Sequence, residues 1–175
     1  MEMLKWFERT FTFDLPKEMY PNVVERLRGT PARVEGIVAG GSQAMLTRRD
    51  GAQWSIQEHL GHLLDLEPLW IGRMDDLLQG KDRLREADLT NRKTHEADHH
   101  AAGLGSLLVS FREVRAAFVH RLDRLDESSI ERTALHPRLE QPMRLLDLLF
   151  FVAEHDDHHL AHMTQLKKRF GLVEG

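Results

Sequence analysis

The nine residues Glu154-His155-Asp156-Asp157-His158-His159-Leu160-Ala161-His162 hold four of the chain's eleven histidines. They lie within a helical pattern. Leu145, Leu148, Val152, His155, His159, His162 and Leu166 recur at steps of three and four, which places them on one stripe of a helix. Histidine therefore stands where leucine or valine would be expected. A single histidine on such a stripe is ordinarily a core residue with a satisfied hydrogen bond. A pair is different, because two buried imidazoles lose solvation unless something pairs with both. His155 and His159 are one turn apart on the same face and can hold one ion together, given a further ligand from a facing helix. His158 lies off the stripe and reads as a rim residue. His162 is on it, and its role stays open.

The facing helix is announced by Trp54-Ser55-Ile56-Gln57-Glu58. Ser55 and Glu58 form a capping box ahead of an apolar-periodic run. The spacing predicts a helix from Ser55 to Leu78, ending near Gly80, with Ile56, Leu60, Leu63, Trp70, Met74 and Leu77 inward. Pro68 in its middle predicts a bend one turn earlier. His59 and His62 occupy its first two turns. His59 is nearer the centre of the apolar face and His62 nearer its flank, so spacing alone leaves either as the third ligand.

These elements need a frame. With 175 residues, 41% hydrophobic and 30% charged, the chain reads as one globular domain over residues 1–175. It contains no cysteine, so any zinc-like site must use His, Asp and Glu. A net charge of −4 without a basic block argues against nucleic acid as a partner. No apolar run approaches a membrane span. The longest, Leu145 to Ala153, is interrupted by Asp147. The N-terminus has no apolar core of a signal peptide, so the expected location is cytoplasmic, with no membrane partner.

The remaining chain supplies the other helices. Trp6, Phe7, Phe11 and Phe13 mark Met1 to Tyr20 as an aromatic arm lying across the bundle or a partner subunit. Residues 21 to 40 read as one bundle position filled by a broken helix, with Gly29-Thr30-Pro31 as the break, Thr30 as a cap and Gly40-Gly41 as the end. Lys81 to Gly103 is a polar connection. Its His95-Glu96-Ala97-Asp98-His99 matches H-E-x-x-H in form, but polar neighbours make it a solvated turn or a lip near the true site. Arg92, Lys93 and His95 there are cations that an anionic substrate could meet. Leu104 to Leu125 is amphipathic, with Leu107, Leu108, Phe111, Val114, Phe118 and Leu122 inward. Thr133 to Pro142 reads as irregular, because Pro137 and Pro142 each disfavour helix in the residue before them. The last helix runs from Met143 to Phe170, with basic residues 167–169 at its negative end and Gly171 as its cap. The sum is an all-α four-helix bundle without a sheet, with a long connection between its second and third helices.

The motif W-S-I-x-E-x-x-x-H-L at Trp54 to Leu63, together with E-H-D-x-H-H-L-A at Glu154 to Ala161, resembles the DinB/YfiT-like metalloprotein superfamily (the damage-inducible bundles, not the DNA polymerase). The resemblance spans nearly the whole chain. It implies a four-helix bundle with a three-histidine metal site, whose ligands fall on His62, His155 and His159. Arg144 departs from the pattern, standing where many relatives have a capping Thr or Ser.

Three imidazoles leave a coordination position open, and such donors accept zinc or nickel first, with iron, cobalt or manganese as further choices. The ion's imidazoles need partners behind them, and Asp65, Glu58, Glu154, Asp156 and Asp157 are within a turn or so of a ligand. The resemblance implies a metal-dependent enzyme acting on a small molecule, a hydrolase or an S-transferase using a low-molecular-weight thiol. The competing expectation is a non-catalytic metal-binding stress-response bundle. Either would be a homodimer by the same resemblance.

Overall fold

The computed structural model describes residues 3–171. Seven helices follow two short 3-10 turns in the arm, Trp6–Glu8 and Lys17–Met19. They are α1 Tyr20–Val38, α2 Gln43–Leu46, α3 Ile56–Leu78, α4 Arg92–Glu96, α5 Leu104–Leu122, α6 Glu127–Ile130 and α7 Leu145–Arg169. The four long ones form the bundle. α1 and α3 each pack against both α5 and α7, so α1 and α3 are diagonal. The fold is the expected four-helix bundle. Among the described residues, no helix is long and apolar enough to cross a membrane.

The expected break in α1 does not occur. The helix runs continuously through Pro31. A proline inside a helix removes the amide that would bond the carbonyl four residues back, here that of Leu27. The Arg115 guanidinium, reaching in from α5, donates to this carbonyl at 3.3 Å. Thr30 is not a cap either. It is fully buried, and its hydroxyl is 3.1 Å from the Arg26 carbonyl and 2.8 Å from Asp156. Gly40 does end the helix, at φ +75, where a side chain would be strained.

The expected absence of a sheet is also corrected. Thr133–His136 (β1) pairs antiparallel with Gln141–Arg144 (β2). Strands of four residues are too short to show alternation, and Pro142 hid the second one. A proline fits here because this two-stranded ribbon has no further ladder on that side. The other edge is used by the long connection, whose Leu84 amide donates to the Leu135 carbonyl at 3.0 Å.

Both ends of α3 follow the sequence. Ser55 accepts from the Glu58 amide, and Glu58 returns the bond to the Ser55 amide at 2.8 Å. The helix continues through Pro68 to Leu78, and all six residues expected inward are buried. α7 starts one residue after Arg144. Here the Asp147 carboxylate accepts from the Arg144 amide at 2.9 Å and from its guanidinium at 2.8 Å. An acidic residue in the first turn thus supplies the reciprocal half of a capping box, with its charge at the positive end of the helix.

The core has two apolar parts. One gathers Val23, Val24 and Leu27 with Trp70, Met74, Phe118 and residues 145–153. The other gathers Val34, Val38, Ile56, Leu60, Phe111, Leu160 and Met163. Between them every long helix turns a polar residue inward: Thr30 from α1, Glu67 from α3, Arg115 from α5, and His155, Asp156 and His159 from α7, all buried. This polar belt at mid-height holds the site.

Candidate metal centre

His62 from α3 meets His155 and His159 from α7 inside the belt. One ring nitrogen from each lies within 4.8 Å of the other two. All three rings are at most 6% exposed. Burial lowers each pKa. His62 falls to about 4, with His99 and His95 adding to the effect and Asp65 opposing it. His155 and His159 lie well below the ordinary histidine value, pushed further by neighbouring imidazoles. All three are therefore neutral at physiological pH, with lone pairs available for coordination.

The proton on His62 can be placed by hydrogen-bond logic. Thr94 Oγ1 lies 3.0 Å from His62 Nδ1 and 3.0 Å from Asp65 Oδ2. The hydroxyl has one proton, and the ionised carboxylate can only accept. Thr94 therefore donates to Asp65 and accepts from His62 Nδ1–H, which leaves the Nε2 lone pair free. His99 Nε2 completes the group at 2.9 Å from the same carboxylate oxygen. His99 reaches it by lying over Gly61, where a Cβ would overlap the imidazole. The long connection, through α4, is thus what orients His62.

Behind His159 stands His59. Their Nδ1 atoms are 2.8 Å apart, so one must carry the proton and the other accept it. On the far side, His159 Nε2 is 3.2 Å from His155 Nε2. His155 Nδ1 is buried without a hydrogen-bond partner. Each neutral ring carries one lone pair, one nitrogen of each converges within 4.8 Å of the other two, and His155 Nδ1 is left unmatched. The set therefore fits a divalent ion that accepts nitrogen donors.

His59, left open by periodicity, stands beside the three-ring set rather than in it. His162 is half-buried, and its ring stacks on His59 at 5.3 Å. His158 is at the rim, as expected. Of the anticipated carboxylates only Asp65 connects to the set, through Thr94. Glu58 binds Arg49, Glu154 binds Arg9 and Arg26, Asp156 binds Arg115, and Asp157 binds Arg26 and Arg33. Of the histidine pair in the connection, His95 is exposed and His99 is buried beside Asp65. Thr94 escaped sequence reasoning entirely. A threonine in a polar stretch has no periodic signal, and only the hidden fold of the connection reveals it.

The set opens onto a cavity of about 340 Å³. The aromatic arm forms one wall. Trp6 packs edge-on against His155 at 5.0 Å and against Phe151 at 5.0 Å, and Arg9 pairs with Glu154. The arm lies across its own bundle. Trp54, Leu66, Leu69 and Trp70 supply further apolar wall. Arg92, Lys93 and His95 are exposed and are not part of the wall.

A helical bundle with inward histidines on its second and fourth long helices, and a cavity beside them, defines a class of candidate metalloproteins. The family model described as the DinB superfamily matches residues 26–163, and the chain belongs to that superfamily. It is 24% identical over 165 residues to YfiT of Bacillus subtilis (strain 168), covering 90% of this chain and 89% of the relative. The solved YfiT structure superposes with a TM-score of 0.81 at 23% identity, covering 93% of this chain and 94% of that one. It is described as a probable metal-dependent hydrolase with an unusual four-helix bundle topology.

Proposed function

We propose that this protein is a metal-dependent hydrolase of small molecules, with His62, His155 and His159 as its metal ligands. The carrying observation is the convergence of three neutral, buried imidazoles at the end of a 340 Å³ cavity. The description of YfiT supports the hydrolytic choice over S-transfer. The ion would supply Lewis acidity, polarising the bond to be cleaved and assisting a nucleophile. Thr94 and Asp65 hold the proton on His62 Nδ1 and fix that ring's orientation. The Nδ1–Nδ1 contact with His59 fixes the orientation of the His159 ring. The aromatic walls exclude bulk water and present a flat, apolar surface to the substrate body.

The test is elemental analysis of protein purified without a chelating tag, followed by ester and amide hydrolysis assays on metal-loaded and chelated samples. Wild type should carry about one transition ion per chain, and His62→Ala and His155→Ala should lose it. His59→Ala should retain an ion, held more weakly. Metal-free wild type after reconstitution, or loss in His59→Ala but not His62→Ala, would refute the assignment. Metal without hydrolysis of any substrate in the panel would favour the non-catalytic bundle.

A further inference from the structure

The end of the cavity away from the histidines is lined by Arg73 and Arg138. Arg73 is 2% exposed. Its Nε donates to the Arg85 carbonyl at 3.1 Å, and its Nη1 lies 3.0 Å from His136 Nε2. The Arg138 guanidinium stands over Phe7 at 5.3 Å and Phe151 at 5.9 Å. Among the described residues, neither guanidinium forms an ion pair with a carboxylate, whereas most of the chain's other arginines do. Asp76, whose charge reaches Arg73, is already held by Arg85 and Lys81, and the cavity's own acids, the exposed Glu86 and Asp88, pair with neither guanidinium. Burial first, then Arg138 and Arg85, pull Arg73 down to about 10, with Asp76 opposing them.

The same end has more donors than acceptors. Two of the buried side-chain polar atoms that lack a hydrogen-bond partner among the described residues, Arg138 Nη2 and Trp70 Nε1, belong to residues lining this cavity outside the three-ring set. Both can only donate. His136 adds to the surplus. Its Nδ1 faces the amides of Arg138 and Leu139 at 3.3 and 3.2 Å, while its Nε2 faces Arg73. A neutral imidazole accepts at one nitrogen only, so one of these donor groups goes unmet. Buried donors and unpaired cations are costly unless something answers them.

We propose that Arg73 and Arg138 bind a carboxylate of the substrate, whose apolar body lies along Trp70 and Phe151 so that its far end meets the three histidines. This rests on the cavity being the substrate site. A guanidinium fork matches a carboxylate's two oxygens, and a second cation beside it matches the charge. The path is short. The Trp70 ring lies 5.7 Å from the Arg73 guanidinium and 5.6 Å from the His155 ring. Recognition is thus split: charge at one end, apolar contact between, cleavage at the other. The substrate class is a small apolar molecule with a carboxylate at one end and a hydrolysable bond at the other.

All three tryptophans of the chain, Trp6, Trp54 and Trp70, line the cavity, so intrinsic fluorescence reads its occupancy directly. The probe is 4-phenylbutanoate, with 4-phenylbutanamide and inorganic phosphate as comparisons, titrated into protein as purified and after chelation. Phenylbutanoate should give a saturable change in both samples. Arg138→Met, checked for an unchanged melting temperature, should bind it roughly ten- to hundredfold more weakly. Arg138→Lys should recover part of the loss. Equal binding of the amide, tighter binding of phosphate than of the carboxylate, or unchanged affinity in Arg138→Met would overturn the proposal. So would binding that vanishes on chelation, which would place the carboxylate on the ion. Binding that survives chelation stands whether or not the hydrolase reading does, so the two can fail separately.

Discussion

The buried Arg115 and the pair of buried Arg73 with half-buried Arg138 are built in opposite ways. Arg115, with its side chain 1% exposed, is enclosed by partners. It bonds Glu67 through Nε at 3.0 Å and Nη2 at 2.5 Å, Asp156 through Nη1 at 2.5 Å, and the Leu27 carbonyl. Thr30 closes the other side of Asp156. One guanidinium so joins all four long helices, and the only unmatched atom there is Glu67 Oε2. Among the described residues, Arg73 and Arg138 form no ion pair with a carboxylate. The first site has its cation fully answered as folded and specifies the packing of the belt. The second is incomplete as folded, which is what a binding site looks like before its ligand arrives. Burial alone therefore does not separate structural from functional charge. The count of satisfied partners does.

The comparison can be broken most decisively at Arg115. Arg115→Met leaves Glu67 and Asp156 buried without a cation and should cost about 3–5 kcal/mol in chemical denaturation. Replacing all three with apolar residues should recover most of it. By contrast Arg138→Met removes an unpaired charge and should change stability by less than about 1 kcal/mol. Similar losses in the two variants would erase the distinction drawn here.

A smaller effect on folding, but a clear one on the histidines, is expected one layer out. Thr94→Val or Asp65→Asn leaves His62 in place but frees its proton. Ion affinity should fall roughly 10- to 100-fold, read by competition with a colorimetric chelator, with little change in melting temperature. Unchanged affinity would show that the connection merely covers α3.

The smallest effect concerns the α3 capping box. Burial alone would raise the Glu58 carboxyl, but the Arg49 guanidinium and the Ser55 amide outweigh it and hold it at about 2, against 4.5 unperturbed. A folded pKa below the unfolded one means that the carboxylate stabilises the fold above about pH 4.5 and that this is lost as pH falls toward 2. Glu58→Ala should cost about 1 kcal/mol at neutral pH and flatten the unfolding curve across that acid window. A slope unchanged from wild type would locate the acid sensitivity elsewhere.

The sequence made some of this legible and hid the rest for definite reasons. Periodicity and capping chemistry act over one or two turns, so α3, the histidine stripe of α7 and the glycine ends could be read directly. Arg115 could not. On an amphipathic helix an arginine reads as solvated surface, and its two carboxylates lie 48 and 41 residues away. The same distance effect misled the reading of Pro31, whose helix-breaking tendency is answered by that guanidinium. His59 and His62 differ by less than a turn, so periodicity left both open; the resemblance pointed to His62, and the helix–helix rotation turns that ring to the α7 pair. Arg73 and Arg138 gave no signal, because what marks them is the absence of partners.

The three-ring set also carries a constraint of timing. His59 and His159, which touch, are 100 residues apart in the chain. During synthesis, His62 leaves the ribosome long before the residues it must meet, and the contact forms only once α7 docks. A chain stopped anywhere before His155 holds one of the three rings. The complete three-ring set thus exists only once α7 has packed against α3, and an ion that needs all three rings would have to wait for that contact.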